Sequence, residues 1–255
     1  MNTEAWQPQT IIDHFFFDFD GTLTSLEGID VLAQMNGVAE KVQEITRRCM
    51  EQTGLTLEDY RARLVYTQPT KAQIQLLAAQ YLKAQTLGAE AVVKLLLRLN
   101  KKVYILSGGI RESILPFATR VGIPLAQVLA VDVYFDEHGS YRGFDEQSYL
   151  AQAKGKAQAI LDLAPASANS LLIGDGMSDW EARAAVTRFI GYGGKHPKAW
   201  IKAHAPFFIN GEELYSLLPL GLTQAESTQL TGAEAIHYDL GLAAIKNKVV
   251  LIQES

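Results

Sequence analysis

Ile11-Ile12-Asp13-His14-Phe15-Phe16-Phe17-Asp18-Phe19-Asp20-Gly21-Thr22-Leu23-Thr24 is the stretch that decides the fold. From Ile11 to Phe19 it is aromatic, β-branched and nearly all apolar, with no alternation between two faces. A run this short and two-sided predicts a strand covered on both sides, as in the interior of a parallel sheet. It runs into Asp18 and Asp20, whose side chains point the same way on an extended chain because they are two residues apart. Two carboxylates at the tip of a buried strand repel each other, so a cation or a shared proton is needed there. A plain strand-to-turn junction accounts for Asp20-Gly21 but not for the pair.

Outward from this strand the pattern changes twice. Between Thr24 and about Leu87 there is no strand pattern, only helix starts. Thr24-x-x-Glu27 and Thr56-x-x-Asp59 have capping-box spacing, and Thr70-x-x-Gln73 follows Pro69. Beyond Gly88, helices and strands alternate. Helices are expected over 89–99, 112–120, 152–163 and 199–204. Strands are expected over 103–106, 128–135, 141–144, 170–173, 189–192 and 207–209, with a turn at His138-Gly139. Alternation of this kind implies a parallel sheet with helices on both faces, and ligands bind at the carboxyl ends of such strands. The expected organisation is an α/β core from residues 1–23 and 88–220 with a helical cap inserted at 24–87. The segment 221–255, ending in the apolar run Lys248-Val249-Val250-Leu251-Ile252, is left unplaced.

Composition removes several function classes. The chain has 255 residues, 48% of them apolar and 20% charged, which is ordinary globular composition and rules out a disordered or fibrous class. Its formal net charge of -5 offers no basic excess to neutralise a nucleic-acid backbone, so no nucleic-acid partner is expected. The most apolar early run is cut by Asp13 and Asp18 and is far too short to span a bilayer, so no membrane partner is expected. Residues 1–6 carry an acid and no basic segment, so they do not read as a secretory signal. Cys49, the single cysteine, reads as a small apolar filler in a reducing compartment. A cytoplasmic protein is expected.

Two further strand ends carry chemistry. Ser107-Gly108-Gly109 follows the 103–106 strand and precedes a helix. Glycines there let backbone N–H groups approach a phosphate, and the Ser107 hydroxyl adds a donor. Gly174-Asp175-Gly176-Met177-Ser178-Asp179 brings two more carboxylates to the end of the 170–173 strand. Four converging acids are tolerable around a hard cation with oxygen ligands, and Mg²⁺ suits that donor set. The five histidines have no metal-site spacing. Gly-x-Ser-x-Gly, Walker and Gly-x-Gly-x-x-Gly patterns are absent from the sequence.

Asp18-Phe19-Asp20-Gly21-Thr22-Leu23-Thr24 resembles the nucleophile motif of the haloacid dehalogenase superfamily. The resemblance implies a Rossmann-like parallel sheet with an inserted cap, and covalent catalysis through an aspartyl-phosphate. It makes Asp18 the nucleophile and Asp20 the general acid and base, with Ser107, Gly108 and Gly109 as the phosphate-binding motif. Lys154 is matched to the motif lysine, balancing phosphoryl charge, and Lys156 to an ordinary surface residue. The Asp18 carboxylate, the Asp20 carbonyl and Asp175 are assigned to Mg²⁺. Ser178 and Asp179 stand behind them, Asp179 orienting metal-bound water and Lys154.

The cap narrows the resemblance. Along 14–218 the chain is similar to the phosphoserine phosphatases, on Glu27-Gly28-Ile29-Asp30, Thr46-Arg47-Arg48, Tyr141-x-Gly143-Phe144-Asp145-Glu146 and Phe189-Ile190-Gly191-Tyr192-Gly193-Gly194. That implies hydrolysis of O-phosphoserine to serine and phosphate, a step of serine biosynthesis. Glu27 would meet the substrate ammonium and Arg63 its carboxylate, with Met50 lining the closed site. Each has a bland rival. Glu27 is the N3 residue of the Thr24 box, and Arg63 lies beside the Leu57, Tyr60 and Leu64 stripe and could snorkel over it. Glu51 and Val131 depart from the pattern. Two other readings stay open: a phosphatase for another small phosphomonoester, such as an amino-alcohol phosphate or a sulfur-salvage intermediate, and a phosphate-binding regulatory protein without turnover.

Overall fold

The structure, a computed structural model, describes residues 6–51 and 55–253, without the side chains of residues 49–51. The chain opens with β1 (His14–Phe17), then four helices: α1 (Gly28–Met35), α2 (Ala39–Glu51), α3 (Leu57–Thr67) and α4 (Lys71–Lys83). After α5 (Ala89–Arg98) come β2 (Lys102–Ile110), α6 (Arg111–Val121), β3 (Val128–Val131) and a hairpin of β4 (Val133–Phe135) and β5 (Tyr141–Phe144). Then follow α7 (Gly155–Leu163), β6 (Ser170–Gly174), α8 (Met177–Ala182), β7 (Arg188–Tyr192), α9 (Ala199–His204) and β8 (Phe207–Ile209). The chain ends with α10 (Leu217–Gly221), α11 (Gln224–Ser227), α12 (Ala233–Lys246) and β9 (Val250–Ile252).

The main sheet has the order β3-β2-β1-β6-β7-β8-β9 and is parallel except at β9. As the apolar run predicts, β1 lies in its interior, paired with β2 and β6, and all four of its residues are buried. Burial of side chains such as Phe15, Phe16 and Phe17 stabilises by roughly 1.5–3 kcal/mol each, which holds this strand fixed under the acids that follow it. The segment left unplaced by sequence closes one edge of the sheet. There β9 pairs antiparallel with β8, and the buried Lys101–Glu226 ion pair ties the chain just after α10 to the core.

The Thr56 and Thr70 capping boxes form as their spacing predicts. The Thr24 box does not. The Thr24 hydroxyl donates to the Ala84 carbonyl at 3.2 Å and α1 starts at Gly28, with Glu27 as an N-cap whose side chain caps nothing. The expected 152–163 helix starts later, at Gly155. The strand expected to stop at Leu106 runs on to Ile110, with its register against β3 shifted between those residues.

At the far end of β1, away from the acids, His14 is 3% exposed and stacks beside the Phe16 and Tyr104 rings, and neither ring nitrogen has a hydrogen-bond partner among the described residues. Burial first, and the nearby Lys102 charge second, hold its pKa below the ordinary histidine value, against a smaller opposing pull from Asp13. A depressed folded-state pKa contributes stability above the unfolded value that is lost as pH falls through the folded one. Lowering pH from about 7.5 to about 5 should therefore reduce the thermal midpoint of the native chain more than that of His14→Phe. Equal losses would show that His14 does not couple folding to acid.

Candidate active site

The strand order places a crevice before any side chain is considered. From β1 the chain builds β2 and β3 to one side, then returns to lay β6 on the other. Loops leave the carboxyl ends of β1 and β6 in opposite directions, and such a switch point is where open α/β sheets bind ligands. Asp18 follows β1 directly and Asp175 follows β6 directly, and the Asp18 N–H donates to the Ile173 carbonyl at 2.9 Å, locking the two strand ends together. A cavity of about 250 Å³ opens there, lined by Asp18, Asp20, Ser107, Asp175 and Asp179 and faced by Glu27 and Arg63.

The lysine assignment from sequence is corrected here. Lys156, not Lys154, reaches the acids. Its ammonium lies 2.5 Å from Asp18 Oδ1 and 2.7 Å from Asp179 Oδ1, and its side chain is 6% exposed. Lys154 is exposed, is the N-cap of α7 in the left-handed region (φ 65°), and is not among the cavity-lining residues. The cause is the close approach of Gly155, where a Cβ would stand 1.9 Å from the Tyr149 carbonyl oxygen. That contact presses the first turn of α7 onto the core, so the residue after the glycine faces inward and the residue before it stays out. Asp179 is fully buried, accepts the Gly176 N–H at 3.1 Å and orients Lys156 rather than Lys154.

The other sequence candidates converge. Ser107, Gly108, Gly109 and Ser178 line the cavity. The Ser107 oxygen accepts the Gly109 N–H at 2.8 Å and lies 3.4 Å from Asp20 Oδ2. Glu27, released from any capping duty, is exposed to the cavity interior, as is Arg63 in part. The Arg63 guanidinium lies over the Tyr60 ring at 5.5 Å, yet its Nε is buried without a hydrogen-bond partner. Snorkelling over the stripe therefore leaves one Arg63 N–H unpaired among the described residues, and the side chain also lines the cavity. The side chains of Cys49, Met50 and Glu51 lie outside the described residues.

Sequence reasoning missed three residues. The Tyr60 hydroxyl donates to the Gly108 carbonyl at 2.9 Å, and the Tyr81 hydroxyl donates to Asp20 Oδ1 at 2.6 Å. The available signal was tyrosine, rather than leucine or phenylalanine, on the inward faces of α3 and α4, since a buried phenol needs a partner. Lys198, just before α9, pairs with Asp175 Oδ2 at 2.8 Å. It lies four residues beyond Gly194 with no pattern around it to mark it.

The electrostatics call for a cation. Burial raises the Asp18 pKa well above the usual carboxylate range; repulsion from Asp179 and Asp175 adds to this, and Lys156 opposes it. Burial also raises Asp20, against the hydrogen bonds from Tyr81 and Gly28. Glu27, although its side chain opens on the cavity, is pushed up to about 8, first by the loss of water around it within the site and then by Asp175 and Asp20. Oxygens of Asp18, Asp175 and Asp179 come within 4.8 Å of one another. An all-oxygen set of crowded, buried carboxylates fits a hard divalent ion.

Comparison with known proteins places this geometry. The family model for haloacid dehalogenase-like hydrolases matches residues 15–182. Phosphoserine phosphatases of Mus musculus and Homo sapiens are each 35% identical over 199 residues, which is 77% of this chain and 88% of theirs. A substrate-bound phosphoserine phosphatase structure superposes with a TM-score of 0.70 at 22% identity, covering 82% of this chain and 98% of that one, a likeness of fold.

Proposed function

That this chain belongs to the haloacid dehalogenase-like hydrolases is the premise from which we propose that it is a metal-dependent phosphatase converting O-phosphoserine to serine and phosphate. One observation carries the reading. The nucleophile-bearing end of β1 forms the floor of a cavity whose lining also holds a carboxylate, Glu27, and a guanidinium, Arg63. A phosphorylated amino acid has matching ends: phosphate for the floor, ammonium for Glu27 and carboxylate for Arg63, which can grip it bidentately.

In this reading a carboxylate oxygen of Asp18 attacks phosphorus and the bond from phosphorus to the serine oxygen breaks. Asp20 gives its proton to that oxygen, so serine leaves neutral at its hydroxyl. Asp20 then takes a proton from the attacking water, phosphate departs, and Asp18 is restored. Ser107 and the Gly108 N–H hold the phosphoryl oxygens, and the Gly109 N–H, which donates to the Ser107 oxygen, orients that hydroxyl. Lys156 balances their charge while fixing the attacking carboxylate. Asp18, Asp175 and the Asp20 carbonyl would hold Mg²⁺, which would supply positive charge to the phosphoryl oxygens. Residues 24–87 act as a cap over a core built from 1–23 and 88–220. No helix among the described residues is long and apolar enough to cross a membrane; a cytoplasmic place in serine biosynthesis belongs to the same proposal and draws on the activity of the phosphoserine phosphatase relatives.

The substrate half of the reading turns on Arg63. A charge-assisted bond of about 1.5–3 kcal/mol predicts that Arg63→Ala lowers kcat/KM for phosphoserine about 10- to 150-fold. Phosphoethanolamine, which lacks the carboxylate, should change by less than about threefold. Equal losses on both would remove Arg63 from substrate recognition and favour an amino-alcohol phosphate.

A further inference from the structure

Asp20 is held asymmetrically. Its Oδ1 accepts two hydrogen bonds, from the Tyr81 hydroxyl at 2.6 Å and from the Gly28 N–H at 2.9 Å. Among the described residues its Oδ2 has only the Ser107 hydroxyl, at 3.4 Å. Tyr81 is fully buried in α4, and its ring meets Phe19 edge-on with centroids 4.8 Å apart. The fit around its hydroxyl is tight: a Cβ on Gly28 would lie 1.9 Å from it. The start of α1, the last turn of α4 and the loop after β1 thus meet on a single carboxylate oxygen.

The two oxygens of a general acid are not equivalent in such an arrangement. An oxygen already accepting a backbone N–H and a phenolic O–H has its lone pairs engaged, and a proton placed on it would face two donors. The other oxygen is the one able to carry a proton. We propose that Tyr81 is a positioning residue for proton transfer: with the Gly28 N–H it pins Asp20 Oδ1, leaving Oδ2 to hand the proton to the departing alcohol oxygen. Nothing in the catalytic motifs contains this residue. It acts through Asp20 and touches no reacting atom itself. The inference rests on the reading of Asp20 as general acid.

Leaving groups distinguish this role from simple support of the fold. A serine oxygen must be protonated as it leaves, whereas p-nitrophenolate leaves with little help, so acid assistance matters for the first and hardly for the second. Tyr81→Phe keeps the ring against Phe19 and removes only the hydroxyl. Across a series from phosphoserine to p-nitrophenyl phosphate, kcat/KM for the alkyl ester should fall about 10-fold or more. For the aryl ester it should fall by less than about threefold, which also shows that the variant is folded. Asp20→Asn, measured alongside, should show the same selectivity with a larger amplitude. An equal loss on all esters for Tyr81→Phe, or no loss at all, would overturn the positioning role while leaving Asp20 as the acid. An Asp20→Asn variant without leaving-group selectivity would overturn the acid assignment itself, and the inference with it.

Discussion

Asp18→Asn should abolish turnover, lowering kcat by about four orders of magnitude or more, because an amide oxygen carries no charge with which to attack phosphorus. The change is close to isosteric and should not unfold the chain. Lys156 keeps its contact with Asp179 at 2.7 Å when the Asp18 charge is gone. Burial, together with Asp179 and Asp175, already disfavours that charge, so the folded-state pKa is raised. A raised carboxylate pKa means that ionising Asp18 costs stability above the unfolded value, so the asparagine variant should melt at the same or a higher temperature in chelator at neutral pH. Phosphate release and a melting curve on the same sample check both statements. Retained turnover would exclude covalent catalysis through Asp18.

The second large effect separates two lysines that are neighbours in sequence. Lys156→Met removes the cation between Asp18 and Asp179 and leaves two buried carboxylates facing each other. Activity should fall about 10³-fold, within the range seen when one preorganised electrostatic partner of a transition state is lost. Stability should fall as well, by about 3–5 kcal/mol, the usual effect of removing one member of a buried ion pair. Lys154→Met should do neither, because its side chain is exposed and is not in the cavity wall. Steady-state rates and melting curves of the two variants decide the matter. A damaged Lys154→Met beside an active Lys156→Met would restore the assignment made from sequence.

That pair also shows where sequence reading stops. The central strand was legible because an unbroken apolar run has one comfortable place in an α/β fold, and the acids after it were legible because their spacing puts them at its tip. Which of two lysines flanking Gly155 turns inward depends on where the helix starts. The start is fixed by a close contact between Gly155 and the Tyr149 carbonyl, and nothing in the string Ala153-Lys154-Gly155-Lys156 encodes that contact. Thr24-x-x-Glu27 misled for a related reason. Its spacing is that of a capping box, but the Thr24 hydroxyl finds the Ala84 carbonyl, 60 residues away in sequence. Local patterns predict local partners, and here a long-range one wins.

The unplaced C-terminal run was illegible for another reason. Three residues, Val250–Ile252, make a strand only because the edge of β8 is there to receive them. Tyr81 lies between these cases. Its place on an inward helix face could be read, but its partner could not, since Asp20 is 61 residues earlier in the chain. Within the active centre, sequence is informative about residues that lie at strand ends and weak on those that arrive from helices.

The most direct test of the account is phosphate release from O-phosphoserine beside a panel of other small phosphomonoesters, each with Mg²⁺ and with chelator. The kcat/KM for phosphoserine should stand well above the rest of the panel, be lost on chelation and be restored by Mg²⁺. Binding of phosphoserine without Mg²⁺-dependent release of phosphate would contradict it.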